Sequence, residues 1–182
     1  MCGVSFYFST KQPYANALEK SLSDTGHRGP DFSDLIEYDC QNYYLGMGHN
    51  RLKIIDLSSN ANQPMVHESG VTLIFNGEIY NHSELREELE AEGLKFSTSH
   101  SDTEVLLLGL SHHGLDFIDK IVGQFAIVFI DEEKQTINLI RDRLGQKPLF
   151  YRFTEDSFIF SSNFIMYCFI ALIYSTSAAK FL

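Results

Sequence analysis

Cations, tryptophan and cysteine are what this sequence is short of. Fourteen Lys and Arg stand against 24 Asp and Glu, a formal charge of −10. That balance excludes a nucleic-acid-binding face, which needs Lys and Arg in excess to meet phosphates. It equally disfavours docking on anionic lipid. The three cysteines, Cys2, Cys40 and Cys168, are odd in number and widely spaced. Such spacing is neither a disulfide framework nor a zinc pattern, and it fits a reducing, cytoplasmic setting. Seven histidines are present, but His112 and His113 are adjacent and no HExxH or HxxxH pair occurs, so no metal site is expected. No charged segment followed by an apolar run opens the chain, so no secretory signal is read there.

Apolar and aromatic material is plentiful. The chain has 182 residues, 44% of them hydrophobic, with 15 Phe and 9 Tyr in place of any Trp. This is one domain's worth of chain with enough apolar surface for a core, and its aromatics favour strands. VSFYFS (4–9) reads as a strand and 15–24 as a helix, with GHRGPD (26–31) a loop. The stretch 42–57 carries strand material at both ends, broken by Gly46 and Gly48. VTLIFN (71–76) is a strand that ends in an NGE turn. Asn81 and Gly93 bracket one helix, and a Ser101–Glu104 capping box with Gly114 brackets another. Segments 123–131, 136–142, 148–153 and 157–162 form a meander of antiparallel hairpins. Strands on both sides of a helical pair imply two sheets with helices packed on them.

Five features carry chemistry. Cys2 is either a small apolar residue that begins a buried strand, or a nucleophile exposed by removal of Met1. In the second case its own α-amino group, titrating near about 8, is a base placed on the same carbon. Asn76 and Gly77 offer a side-chain amide and a glycine N–H, the donor types of an oxyanion hole, although NG is also a common turn dipeptide. Arg51, heading LKII, has the fork geometry to hold a carboxylate. Asp102 lies at a helix start, as an ordinary capping acid or as a partner for a substrate ammonium. Arg28, Asp142 and Arg143 read as ion-pairing supports of glycine turns.

Taken in order and spacing, MCG, HRGPD, GHNRLKIID, FNGEIYN, HSDTE, GQFAIVFID and RDRLGQKPLFY resemble the class II, N-terminal-nucleophile glutamine amidotransferase domain. Within it the likeness is greatest to the glutaminase half of glutamine-hydrolysing asparagine synthetases, over residues 2–162. The resemblance implies an α+β fold, a four-layer αββα sandwich. It implies Cys2 as nucleophile with its α-amino group as base, and Asn76 and Gly77 as the oxyanion pair. It further implies Arg51 on the substrate α-carboxylate, the backbone of Leu52, Ile54 and Ile55 along the pocket, and Glu78 and Asp102 on the α-amino group. The expected reaction passes through a γ-glutamyl thioester to glutamate and ammonia, without a cofactor. Partners are L-glutamine and a separate synthetase domain or subunit, to which ATP and magnesium would belong.

The chain departs from that pattern after FIFSS. No SGGxDS-type pyrophosphate loop follows, and residues 163–182 form an atypical apolar tail where an acidic helical segment is expected. Its run FIMYCFIALIY (164–174) is too short, at about 1.5 Å per residue, to cross roughly 30 Å of hydrocarbon. The tail reads as a foreign end on a truncated synthetase, with a membrane-surface or partner-binding segment as the competing reading. The matching alternative for function is a non-catalytic relic or partner-binding module that keeps the look of a glutamine pocket.

Overall fold

In the computed structural model, residues 1–13 and 16–164 are described. They divide into two units: Met1–Leu52 with the chain from Pro148 onward, and Lys53–Lys147. The tail expected over 163–182 lies, from residue 165 on, outside the described residues.

The first unit is built on a five-stranded antiparallel sheet. Its strands are β1 (Gly3–Ser9), β2 (Phe32–Asp39), β3 (Tyr44–Arg51), β8 (Phe150–Phe153) and β9 (Ser157–Ser161), in the order β2-β3-β1-β9-β8. Helix α1 (Ala17–Thr25) packs on it through Leu18 and Leu22, which lie against Gly48. Gly46 and Gly48 therefore do not break the strand as the sequence suggests. Each serves close packing instead: a Cβ on Gly46 would sit 2.4 Å from the Tyr7 ring. The other expected strand end, 52–57, is loop. Strand β2 escapes sequence reading because it is an edge strand whose mixed FSDLIEYD pattern shows no alternation, its charges guarding an open edge.

The second unit holds a four-stranded antiparallel sheet, β4 (Met65–Val66), β5 (Val71–Ile79), β6 (Gly123–Asp131) and β7 (Thr136–Arg141), in that order. Helices α2 (His82–Ala91) and α3 (Asp102–His113) cover one face. Alternate residues Leu73, Phe75 and Ile79 of β5, with Phe125, Ile127 and Phe129 of β6, pack against Leu85, Leu89, Leu106 and Leu110. The 2-residue and 4-residue spacings of these apolar positions are what fix strand and helix faces.

Three local expectations are corrected. The four late strands are not one meander: β6 and β7 pair in one sheet, β8 and β9 in the other. Asn76 and Gly77 do not turn, because β5 continues to Ile79 in register with β6. Asn81 stands at the start of α2 without capping it; its amide donates to the Lys120 carbonyl and accepts from the Val122 N–H, both at 2.9 Å. The α+β class holds, and no helix among the described residues is long and apolar enough to cross a membrane.

Candidate active site

The residues singled out in the sequence fall in both units: Cys2, Arg51 and Leu52 in the first, and Ile54, Ile55, Asn76, Gly77, Glu78 and Asp102 in the second. In the first unit, Cys2 precedes β1 and is half-buried. The Leu52 N–H donates to its Sγ at 3.4 Å, and the thiol reaches the Leu52 carbonyl at 3.9 Å. Arg28 Nε donates to the Cys2 carbonyl at 3.1 Å. Desolvation lowers the Arg28 guanidinium from its usual value while the Cys2 thiol group opposes that shift, so cation and thiol are electrostatically linked. Arg51 is buried at the end of β3, where its carbonyl accepts from the Asp31 N–H at 3.1 Å.

Arg28 is the residue that sequence reading undervalued. The Gly-Pro turn of HRGPD predicted a supporting arginine but not what it supports. A glycine is required at position 29, because a Cβ there would lie 2.3 Å from the Asn50 carbonyl oxygen. That close approach keeps the Arg28 turn against the end of β3.

In the second unit the ladder itself creates donors. Gly77 stands opposite Phe125. Phe125 has both backbone groups engaged on its other side, its N–H with Asp142 Oδ2 at 3.2 Å and its carbonyl with the Asp142 N–H at 2.9 Å. In an antiparallel pair, opposed residues exchange both bonds or neither, so the Gly77 N–H points away from β6. Phe75 and Ile79 share that direction and donate to Gln63 Oε1 at 2.6 Å and Asp102 Oδ2 at 3.2 Å. The Gly77 N–H lies between those two acceptors. Only glycine fits, since a Cβ would come within 2.2 Å of the Gln124 oxygen.

Asn76 lies on the sheet face opposite α2 and α3, as the alternation along β5 requires. It is 1% exposed, and its Nδ2 has no hydrogen-bond partner among the described residues. A buried, unpaired amide donor costs about 1–3 kcal/mol, so such a group calls for a reason.

Asp102 opens α3 and is buried. Burial pushes its carboxyl up, against the hydrogen bond from Ile79 and the nearby His82, which pull it down; Glu78 adds to the rise. The helix start alone would have stabilised the anion, and desolvation outweighs it. Glu78, exposed near the end of β5, makes the smallest of these contributions. Ile54 is exposed and Ile55 half-buried in the loop after Lys53.

The loop before Asp102 is set by Glu104, a role its reading as a capping-box partner missed. Ser101 Oγ does accept from the Glu104 N–H at 3.2 Å. The Glu104 carboxylate instead accepts from the Ser97 N–H and hydroxyl, both at 2.7 Å, and from the Thr98 N–H at 2.8 Å and the Thr98 hydroxyl. Asp142 works the same way: its side chain accepts from the N–H groups of Phe125, Gln146 and Lys147, so it holds its loop through backbone donors rather than an ion pair. Arg143 reaches Asp119 at 3.9 Å, both side chains well exposed, a pair of little energetic weight.

The first unit thus holds a half-buried thiol beside a backbone N–H, and the second a desolvated amide donor next to an outward glycine N–H; each is a group type that acyl transfer uses. Comparison with known proteins agrees. The family model described as glutamine amidotransferase domain matches residues 1–172. Asparagine synthetase [glutamine-hydrolyzing] 1 of Bacillus subtilis is 44% identical over 170 residues, covering 90% of this chain and 26% of that one. Amidase chry2 of Gibberella zeae is 36% identical over 181 residues, with 90% and 26% covered. The chain spans about a third or less of the length of the curated relatives it matches. Among solved structures, the glutamine phosphoribosylpyrophosphate amidotransferase of B. subtilis superposes with a TM-score of 0.77 at 20% identity, over 93% of this chain and 44% of that one. That likeness carries the fold alone, α+β with two antiparallel sheets. This chain belongs to the glutamine amidotransferase domain family.

Proposed function

We propose that the chain hydrolyses the side-chain amide of glutamine through Cys2, supplying ammonia for asparagine formation. Removal of Met1 makes the Cys2 α-amino group available as base. The amine takes the thiol proton, and sulfur attacks the amide carbon. Asn76 Nδ2–H and the Gly77 N–H take up the developing oxyanion. Collapse of the tetrahedral intermediate breaks the C–N bond, and the α-ammonium returns its proton to the departing nitrogen as ammonia. Water, deprotonated by the same amine, then cleaves the γ-glutamyl thioester to glutamate and restores the thiol. Arg51 holds the substrate α-carboxylate, with Leu52, Ile54 and Ile55 along the pocket. Glu78 and Asp102 receive its α-ammonium, a cation that compensates the desolvation now raising Asp102.

The observation that carries this reading is the buried Nδ2 of Asn76, without a partner among the described residues, beside the outward N–H of Gly77. Hydrolysis by this route needs no cofactor. The ammonia passes to a synthetase domain or subunit that uses ATP, in the cytoplasm.

The test is direct. Protein with Met1 removal verified by mass spectrometry is expected to release glutamate and ammonia from glutamine in equal amounts. Cys2→Ala abolishes release, and an electrophilic glutamine analogue labels Cys2 but neither Cys40 nor Cys168. A folded, processed sample without turnover would overturn the proposal in favour of a non-catalytic binding module.

A further inference from the structure

We propose that Glu92, His112 and His113 form a surface site for Zn2+ that clamps the C-terminal ends of α2 and α3. Glu92 is the residue that closes α2, and the two histidines end α3. His113 Nε2 lies 2.8 Å and His112 Nε2 3.5 Å from the same oxygen, Glu92 Oε2. The three donor atoms all fall within 4.8 Å of one another. Zinc bonds of about 2.0–2.1 Å in a tetrahedron place neighbouring donors roughly 3.3 Å apart. The three side chains therefore stand close to the required edges before any ion arrives, with water filling the fourth position. Two imidazoles and one carboxylate are a donor set that zinc prefers to calcium or magnesium, which take oxygen ligands.

Two further features favour a cation there. The site receives the C-terminal, partially negative ends of two helices at once. Each helix is stopped by a glycine held at positive φ, Gly93 at 95° and Gly114 at 65°, which fixes where the donors leave the helix. His113 is further oriented by stacking on Phe117, with 6.1 Å between ring centroids and 8° between planes. The neighbouring Lys120 pairs with Glu88 at 2.8 Å. Zn2+ binding leaves each neutral imidazole with its proton on Nδ1 and its Nε2 lone pair on the metal. His-His adjacency, which argues against a metal motif in sequence, becomes usable because the helix ends at His113 and Glu92 comes from another element.

Isothermal titration of chelator-stripped full chain with Zn2+ tests the proposal. Thiols are first capped with iodoacetamide, so that cysteine thiolates do not compete. One ion per chain is expected, with Nε2 resonances of His112 and His113 shifting in step with saturation. Glu92→Gln, His112→Asn and His113→Asn are each expected to weaken binding about tenfold or more, direct ligands mattering no less than the groups that only orient them. Circular dichroism of each variant reports its fold. Absence of saturable uptake, wild-type affinity in a folded His112→Asn/His113→Asn chain, or shifts confined to other histidines would overturn the site.

Discussion

Arg28 Nε donates to the Cys2 carbonyl at 3.1 Å, tying the turn after α1 to the residue that precedes β1. Its Nη2 is buried without a partner among the described residues. The guanidinium therefore fixes the backbone of Cys2 and lends positive charge to the thiol's surroundings. Arg28→Ala is expected to lower kcat for glutamine roughly 10–100-fold, the worth of a charge-assisted bond of about 1.5–3 kcal/mol. As a positioning residue it should also shift the pH profile of kcat/KM upward, with partial recovery in Arg28→Lys. An unchanged pH profile would reduce it to a structural support.

Asn76→Ala separates catalysis from stability. Because Nδ2 has no partner among the described residues, its loss costs the fold little beyond packing. Removal of an oxyanion donor costs about 10²–10³ in kcat. Steady-state kinetics beside urea denaturation should show a large loss in rate and a change of less than about 1 kcal/mol in stability. A parallel fall in both would mean that the amide serves the core.

Asp102 gives a pH signature. Its carboxyl is raised in the folded state, chiefly by desolvation. An acid of raised pKa contributes stability that is fully present below its ordinary value and is lost as pH rises through the folded one. Asp102→Asn is therefore expected to melt higher than the parent chain near pH 7, with the gap closing below about pH 4. The same variant should raise KM for glutamine about 10–100-fold, through loss of a charged hydrogen-bond partner. Thermal melts at the two pH values and a KM measurement check both arms.

Glu104 carries the opposite sign. Desolvation pushes its carboxyl up, but bonds from Thr98 and Ser97 together outweigh it and hold it low. Its stability contribution is present above the ordinary carboxylate value and is lost as pH falls through the depressed one. Glu104→Gln should destabilise by about 2 kcal/mol at pH 7, since an amide N–H then faces donors. In urea titrations at acid pH the variant and parent should converge. A difference independent of pH would refute the charged role.

What was legible in the sequence was local. Ser101, Gly93 and Gly114 mark helix ends because capping and positive φ act within one turn of chain. The hairpins β6–β7 and β8–β9 announce themselves through short polar turns between apolar strands. The roles of Arg28 and Glu104 were not legible, since each acts on a partner that its own motif does not contain. Gln63 left no signal at all, though it bridges the Phe75 N–H and the Thr103 hydroxyl, the latter at 3.1 Å.

Seven short motifs in fixed order already carry the family, and with it the candidates Cys2, Asn76, Gly77 and Asp102. The folded structure was needed to place Asn76 and Gly77 within a strand rather than at a turn. It alone showed that the Gly77 N–H is turned outward because Asp142 occupies both backbone groups of Phe125. It also showed that Asp102 is raised by burial rather than stabilised by its helix. One cause underlies all three. Ladder parity, desolvation and buried hydrogen bonding depend on residues tens of positions apart, and they take a value only once strands are paired and side chains have lost their water.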